Sequence, residues 1–110
     1  MNLFKTPLKL VAAAVLVQAA VALPALAGEN LDKIKSAGAI RIGTEGTYAP
    51  FTFHDASGKL VGFDVEIGEA IAEKLGVKPE FVEGKWDGLI AGLDADRYDA
   101  VINQVGITEA

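Results

Sequence analysis

Residues Gly62 to Gly76 read as one complete amphipathic helix with both ends marked, and a helix so bounded dictates what must lie beside it. Asp64 can accept from the free N–H groups of a first turn, which predicts an N-cap. Glu66 and Glu69 put negative charge near the positive end of the helix dipole, and Lys74 puts positive charge near the negative end. Ile67, Ala70, Ile71, Lys74 and Leu75 recur at three- and four-residue spacing, which predicts that they form the core-facing stripe. Gly76 can take the left-handed conformation that stops a helix. A β-like segment lies on each side, Lys59 to Phe63 before and Lys78 to Val82 after. Strand, crossover helix and strand make the unit of a parallel sheet.

The other segments extend that pattern. Leu31 to Ala37 predicts a short helix with Asn30 as N-cap and Gly38 as its stop. Ala39 to Gly43 predicts a strand. Thr44 to Pro50 carries two glycines, two threonines and a proline, so a loop without regular structure is expected. Phe51 to His54 alternates apolar and polar as a half-buried strand does, Asp55 to Gly58 turns, and Lys59 to Phe63 returns. After the central helix, Val77 to Glu83 predicts a strand. Asp87 is expected to cap a short helix through Leu93, with Leu89, Ile90 and Leu93 on its buried side. Asp99 to Asn103 predicts a last parallel strand, and Gln104 to Ala110 a loop. The order α-β-β-β-α-β-α-β reads as an α/β fold with a mostly parallel sheet.

The first 27 of the 110 residues do not belong to that fold. Lys5 and Lys9 make a basic start, Leu10 to Leu23 is apolar except for Gln18, and Ala25 and Ala27 are the small residues a signal peptidase reads. A cleaved secretory signal peptide over residues 1–27 is expected. A membrane-spanning helix would need an apolar run of about 20 residues, longer than this one. Residues 28–110 then hold 8 basic and 15 acidic side chains, a net charge of −7. That balance opposes nucleic acid and anionic membranes as partners. The composition has no cysteine, so no disulfide and no lipid-anchored Cys can form. A soluble protein outside the cytoplasm is expected, in a bacterium the periplasm. A domain of about 80 residues buries only about 60% of its unfolded surface, which suggests part of a larger unit.

Catalytic patterns are few. A thiol nucleophile is excluded by composition, and a paired-histidine metal site by the single His54, which beside a turn reads as a surface residue. Gly84-Lys85 is followed by Trp86 rather than Ser or Thr and has no glycine five positions earlier, so it is no phosphate loop. Gly43 and Gly46 do not make a dinucleotide fingerprint. No cofactor is indicated. Three loops remain, Thr44–Pro50, Gly84–Asp87 and Gln104–Ala110, each after a parallel-type strand, at the edge where open α/β sheets bind ligands. They offer the carboxylate of Glu45, the phenol of Tyr48, the indole of Trp86 and backbone N–H groups around Gly106 to Thr108. Spacing alone leaves open whether Tyr48 and Trp86 face a ligand or cap the edge of the core.

Gly62 to Leu75 resembles the signature of the family 3 extracellular solute-binding proteins, the polar amino-acid receptors of ABC importers. The pattern is Gly, aromatic, acid, apolar, acid, apolar, three free positions, apolar, small, two free, apolar. Gly43 to Phe51, Lys85 to Ile90 and Asp99 to Glu109 are similar to its three ligand loops, in order. Glu45 to Tyr48, Lys85 to Gly88 and Val101 to Val105 are most similar to the cystine-binding members. The resemblance implies a periplasmic-binding-protein-like fold of two lobes that close on a ligand. Residues 28–110 would be part of the N-terminal lobe, since the arginine that clamps the ligand α-carboxylate is expected just after Ala110 and the acid for its α-amino group in a second lobe. Alone, such a piece is expected to bind weakly or not at all.

The resemblance further implies roles. Tyr48 and Trp86 would pack on the ligand side chain, Glu45 would lie near its distal polar end, and Phe51 would be pocket wall or core. Backbone groups at Gln104 and Gly106, with Thr108, would hold the α-amino and α-carboxylate groups. The implied protein is a non-enzymatic, monomeric receptor that delivers a small polar amino acid, with cystine the expected one, to an inner-membrane ABC permease. The alternatives are part of a solute-binding-fold enzyme, either a cyclic-acid dehydratase or a transglycosylase-linked domain, and part of a membrane receptor's sensor domain.

Overall fold

The computed structural model describes residues 28–109, so the expected signal peptide lies outside the described residues. Helix α1 (Glu29–Ala37) is followed by strand β1 (Ala39–Thr44), which forms the centre of a three-stranded parallel sheet. Strand β5 (Lys78–Glu83) pairs with β1 along its length, from Ala39 opposite Lys78 to Thr44 opposite Glu83. Strand β6 (Ala100–Val101) pairs on the other side, Ile42 opposite Ala100 and Gly43 opposite Val101. Between β1 and β5 come β2 (Thr47–Tyr48), β3 (Thr52–His54) and β4 (Leu60–Val61), a small antiparallel sheet, and then α2 (Phe63–Leu75). Helix α3 (Trp86–Asp94) joins β5 to β6.

The α/β class and the parallel sheet are as expected. Asn30 lies inside α1 rather than at its N-cap, the strand before α2 joins the antiparallel sheet rather than the parallel one, and three further local features differ. The segment after β1 is not irregular throughout. Thr47 and Tyr48 pair with Phe53 and Thr52, because the intervening turn reverses the chain within reach of its own ladder. Helix α3 begins at Trp86 with Lys85 at its N-cap and no side-chain cap, so Asp87 sits inside the first turn. Leu89 and Gly92 are its buried residues, while Ile90 and Leu93 stay substantially exposed.

The third difference concerns α2. Its buried residues are Asp64, Val65, Gly68 and Ala72, whereas Ile67 and Ile71 are each 39% exposed. Both stripes satisfy a 3.6-residue period, so periodicity cannot choose between them. Close approach chooses. A Cβ on Gly68 would stand 2.9 Å from both Ile42 Cδ1 and a Phe81 ring carbon, so small residues must face the sheet. Ile67, Ala70, Ile71 and Lys74 instead line an outer apolar groove, and Leu75 at its end both borders that groove and packs on the core as expected. Ile34, Ile40, Ile42 and Ala72 form the core, with Leu75, Val77, Phe81 and Ile102 packed on it. Complete burial of Ile42 contributes about 1.5–3 kcal/mol.

Side chains alternate along β1. Ile40 and Ile42 enter that core, while Arg41 and Gly43 point to the opposite face. There the Tyr98 ring lies so close over Gly43 that a Cβ would meet it at 2.7 Å, and the Tyr98 hydroxyl donates to the Leu89 carbonyl. Arg41 Nη2 binds Asp96 Oδ1 and Asp99 Oδ1, each at 3.0 Å, and fastens the turn that leads into β6.

The α2 N-terminus is capped by tertiary contact rather than by Asp64. The N–H of Phe63 donates to the Pro50 carbonyl at 3.2 Å and that of Asp64 to the Phe51 carbonyl at 2.8 Å. These carbonyls come so near that a side chain on Gly62, the N-cap at φ 127°, would overlap Phe51. Gly62 is thereby required both by its dihedral and by the loop pressed against it. Gly62→Ala should cost at least about 2 kcal/mol in urea unfolding, through strain and displaced carbonyls. Ile71→Ala should cost less than about 1 kcal/mol; the reverse ranking would place the core face of α2 where periodicity first puts it.

Candidate functional site

In the strand order β5-β1-β6 the chain crosses from β1 to its neighbour β5 on one side and then from β5 back past β1 to β6 on the other, so the direction of winding reverses at β1. Such a reversal opens a crevice beyond the carboxyl ends of the strands, the usual ligand position in open α/β sheets. The loops after β1, β5 and β6 all emerge at this edge, which brings the three expected ligand segments together in space.

A buried polar network fastens the first loop to the third. Thr44, Thr52 and Asn103 are 1%, 0% and 2% exposed. The Thr44 and Thr52 hydroxyls are 2.8 Å apart, and Thr44 Oγ1 lies 3.2 Å from Asn103 Oδ1. The Glu45 N–H donates to Asn103 Oδ1 at 2.8 Å, and Asn103 Nδ2 donates to Glu45 Oε2 at 2.7 Å. The Gly46 N–H donates to Thr52 Oγ1 at 3.2 Å. Each hydroxyl has one hydrogen. All the contacts are satisfied when Thr52 donates to Thr44 and Thr44 donates to Asn103. A network completed in this way holds its members in one geometry, since any departure would strand a buried polar group.

Of the expected site residues, Glu45 is half-buried, with Oε2 engaged by Asn103. Tyr48, on β2, is 44% exposed and meets the half-buried Phe51 edge-to-face, ring centroids 5.1 Å apart. Trp86, 47% exposed, opens α3. Gln104 is exposed, has φ 53° and donates from Nε2 to Asp64 Oδ1 at 2.6 Å. Gly106 and Thr108 lie on the exposed segment that follows, and a Cβ on Gly106 would meet open space. The side-chain hydrogen bonds therefore tie down Glu45 and Gln104. Among the described residues none holds Tyr48, Trp86 or Thr108.

Thr44, Thr52 and Asn103 were not singled out as site residues by sequence. One signal was available, since Thr44 continues the inward positions of Ile40 and Ile42 and so puts a hydroxyl where an apolar side chain would be expected. Among the described residues no group of three or more His, Asp or Glu side chains could hold a metal ion.

His54 does more than occupy the surface. Nδ1 faces the Gly58 carbonyl at 2.9 Å, and Nε2 faces Glu83 Oε1 at 2.6 Å. Both partners accept, so both ring nitrogens must donate, and the geometry is that of an imidazolium. The Glu83 carboxylate, then the Gly58 carbonyl, hold the imidazole above its ordinary range. The pair links the small sheet to the end of β5, and Glu83 lies directly against Gly46 of the first loop.

Residues 40–110 match the model of the bacterial extracellular solute-binding proteins, family 3. Over 78 residues the chain is 58% identical to a probable amino-acid ABC transporter-binding protein of Haemophilus influenzae, covering 71% of this chain and 30% of that protein. The open, unliganded L-cystine solute receptor of Neisseria gonorrhoeae is 62% identical at a TM-score of 0.63, over 64% of this chain and 30% of that one. The arginine-bound form of domain 1 from TmArgBP of T. maritima is 40% identical at a TM-score of 0.68, over 70% and 61%. The chain spans about a third of the length of the curated relatives it matches.

Asn103→Ala should cost about 2–3 kcal/mol in urea unfolding, because the Glu45 N–H and the Thr44 hydroxyl lose their acceptor. Thr108→Ala should stay within about 0.5 kcal/mol. Equal costs would remove the network from its structural role. The raised His54 pKa gives stability that is fully present below the ordinary value of 6.5 and lost as pH rises through the folded value. The unfolding midpoint should therefore fall between about pH 6 and pH 9 in the unmodified protein and less in His54→Gln. Parallel pH profiles would show that the pair contributes nothing.

Proposed function

The chain belongs to the bacterial extracellular solute-binding proteins of family 3, and on that premise we propose that it supplies part of the N-terminal lobe of a periplasmic amino-acid receptor for an ABC importer. The carrying observation is the Glu45–Asn103 link, which joins the loops after β1 and β6 across the sheet's switch point. It holds two loops at the place where a small ligand fits and leaves Tyr48 and Trp86 exposed at the same edge. A flat aromatic with one polar end suits the side chain of an amino acid. The backbone N–H groups from Gly106 to Thr108 suit its carboxylate. Residues 1–27 would direct export and be removed, and the acidic remainder would work as a monomer beside its permease, with no catalytic step.

L-Cystine is the proposed ligand. The receptor from Neisseria gonorrhoeae, 62% identical, supports cystine over arginine, whose receptor domain is 40% identical. That arginine-bound domain 1 also bears on the expectation that an isolated lobe binds weakly or not at all, since it holds its ligand as domain 1. One lobe of such a receptor supplies enough contacts for occupancy, and closure by a second lobe would add burial. Titration calorimetry with cystine, arginine and glutamine tests the assignment. Cystine should bind most tightly, and Trp86→Ala should weaken it by about 1–3 kcal/mol. Undiminished binding by Trp86→Ala would return the indole to the edge of the core, and tighter binding of arginine would overturn cystine.

A further inference from the structure

We propose that Asp64 is a positioning residue for the ligand loop after β6, acting through the side chain of Gln104. The inference rests on the receptor function proposed above and assigns to the signature helix a task at the site. Asp64 is 97% removed from solvent, being 3% exposed, yet it is neither a helix cap nor part of an ion pair. Its Oδ1 accepts from Gln104 Nε2 at 2.6 Å, and its Oδ2 is buried without a partner among the described residues. A carboxylate chosen for stability alone would not leave one oxygen orphaned, since each unmet buried acceptor is destabilising. Its place beside the positive end of α2 keeps the charge tolerable there. The short, charge-assisted bond is stronger than one between neutral groups.

Gln104 is where that bond has leverage. Its φ of 53° is uncommon for a residue with a side chain. The residue before it, Asn103, is anchored to Glu45 of the first loop, and Gln104 itself is anchored to α2. Two successive residues are thus held by different elements, and together they set the direction in which the chain leaves the sheet. Beyond them Val105 is 47% exposed and Ile107 fully exposed, so the Gln104 anchor is the last side-chain tie before the N–H groups of Gly106 to Thr108. Without it the chain beyond Gln104 would sample other directions even where the left-handed turn is kept, and those donors would point elsewhere.

The test uses the protein as the cell makes it, with three variants, two readouts and L-cystine as the probe. Q104G keeps the backbone groups and favours the left-handed turn but removes the tie. D64A removes the acceptor, and D64N keeps an acceptor oxygen while discarding the charge. Calorimetry should show cystine affinity about tenfold weaker in Q104G and D64A and within about threefold of the unmodified protein in D64N. Amide hydrogen exchange without ligand should be faster at residues 105–108 in Q104G and D64A, with β1 and α2 unchanged. Q104G, which leaves Asp64 Oδ1 without its donor, should unfold at a lower urea concentration. The recovery of affinity in D64N relative to D64A and the confinement of faster exchange to residues 105–108 are outcomes that a packing role would not produce. Unchanged exchange at 105–108 in Q104G overturns the proposal whether or not D64A folds. Faster exchange in a protein that binds no amino acid would uphold the strut and defeat the receptor reading instead.

Discussion

The architecture of the site depends on a side-chain amide with no access to solvent. Asn103 stands two residues beyond β6 and joins it to two other elements through hydrogen bonds with the Thr44 hydroxyl at the end of β1 and with both the backbone and the carboxylate of Glu45. Strand β6 pairs through only two residues, too few to define the course of the chain after it. The polar network supplies that definition, because in a buried setting a missing hydrogen bond is far more costly than a made one is favourable. The loops after β1 and β6 are therefore positioned by side chains beneath them, while Tyr48 and Trp86 remain nearly half exposed.

The same economy appears at α2. Small residues let the helix approach the sheet, and the carbonyls of Pro50 and Phe51 satisfy its first N–H groups. Gly62 admits those carbonyls, so the loop carrying Tyr48 and Phe51 is docked on the helix by its backbone. Asp64, freed from capping, can reach Gln104. Helix α2 thus contacts both the segment that carries Tyr48 and Phe51 and the segment after β6. The glycine and the acid at the start of the family signature each have a physical basis here: close backbone approach at Gly62, and at Asp64 a buried acceptor for the Gln104 side chain.

Much of the fold was legible because its signals are local. The helix from Phe63 to Leu75, its αL stop at Gly76 and the Asp55–Gly58 turn follow from short-range sterics and hydrogen bonding, and each is found. The strand expected before that helix belongs instead to the antiparallel sheet as β4, so the parallel partner of β5 is the more distant β1. The failures are equally specific. Asp64 and Asp87 have the chemistry of caps, but tertiary contacts and helix phase place them inside the first turn. Ile67, Ile71, Ile90 and Leu93 were assigned to the core because hydrophobicity records preference for burial and not the distance at which a helix can pack. His54 read as a lone surface residue because its partner lies 29 positions away.

By itself, the sequence determined the α/β class, the order of the elements, the three loops that meet at one edge and the family, all of which depend on residue type and spacing along the chain. Only the tertiary structure decided which face of α2 meets the sheet, which polar groups are sealed beneath the loops, and that Glu45 and Gln104 are held in place while Tyr48 and Trp86 stand open. Those outcomes depend on steric fit and on hydrogen bonds between residues as many as 59 positions apart, and neither leaves a period in the sequence.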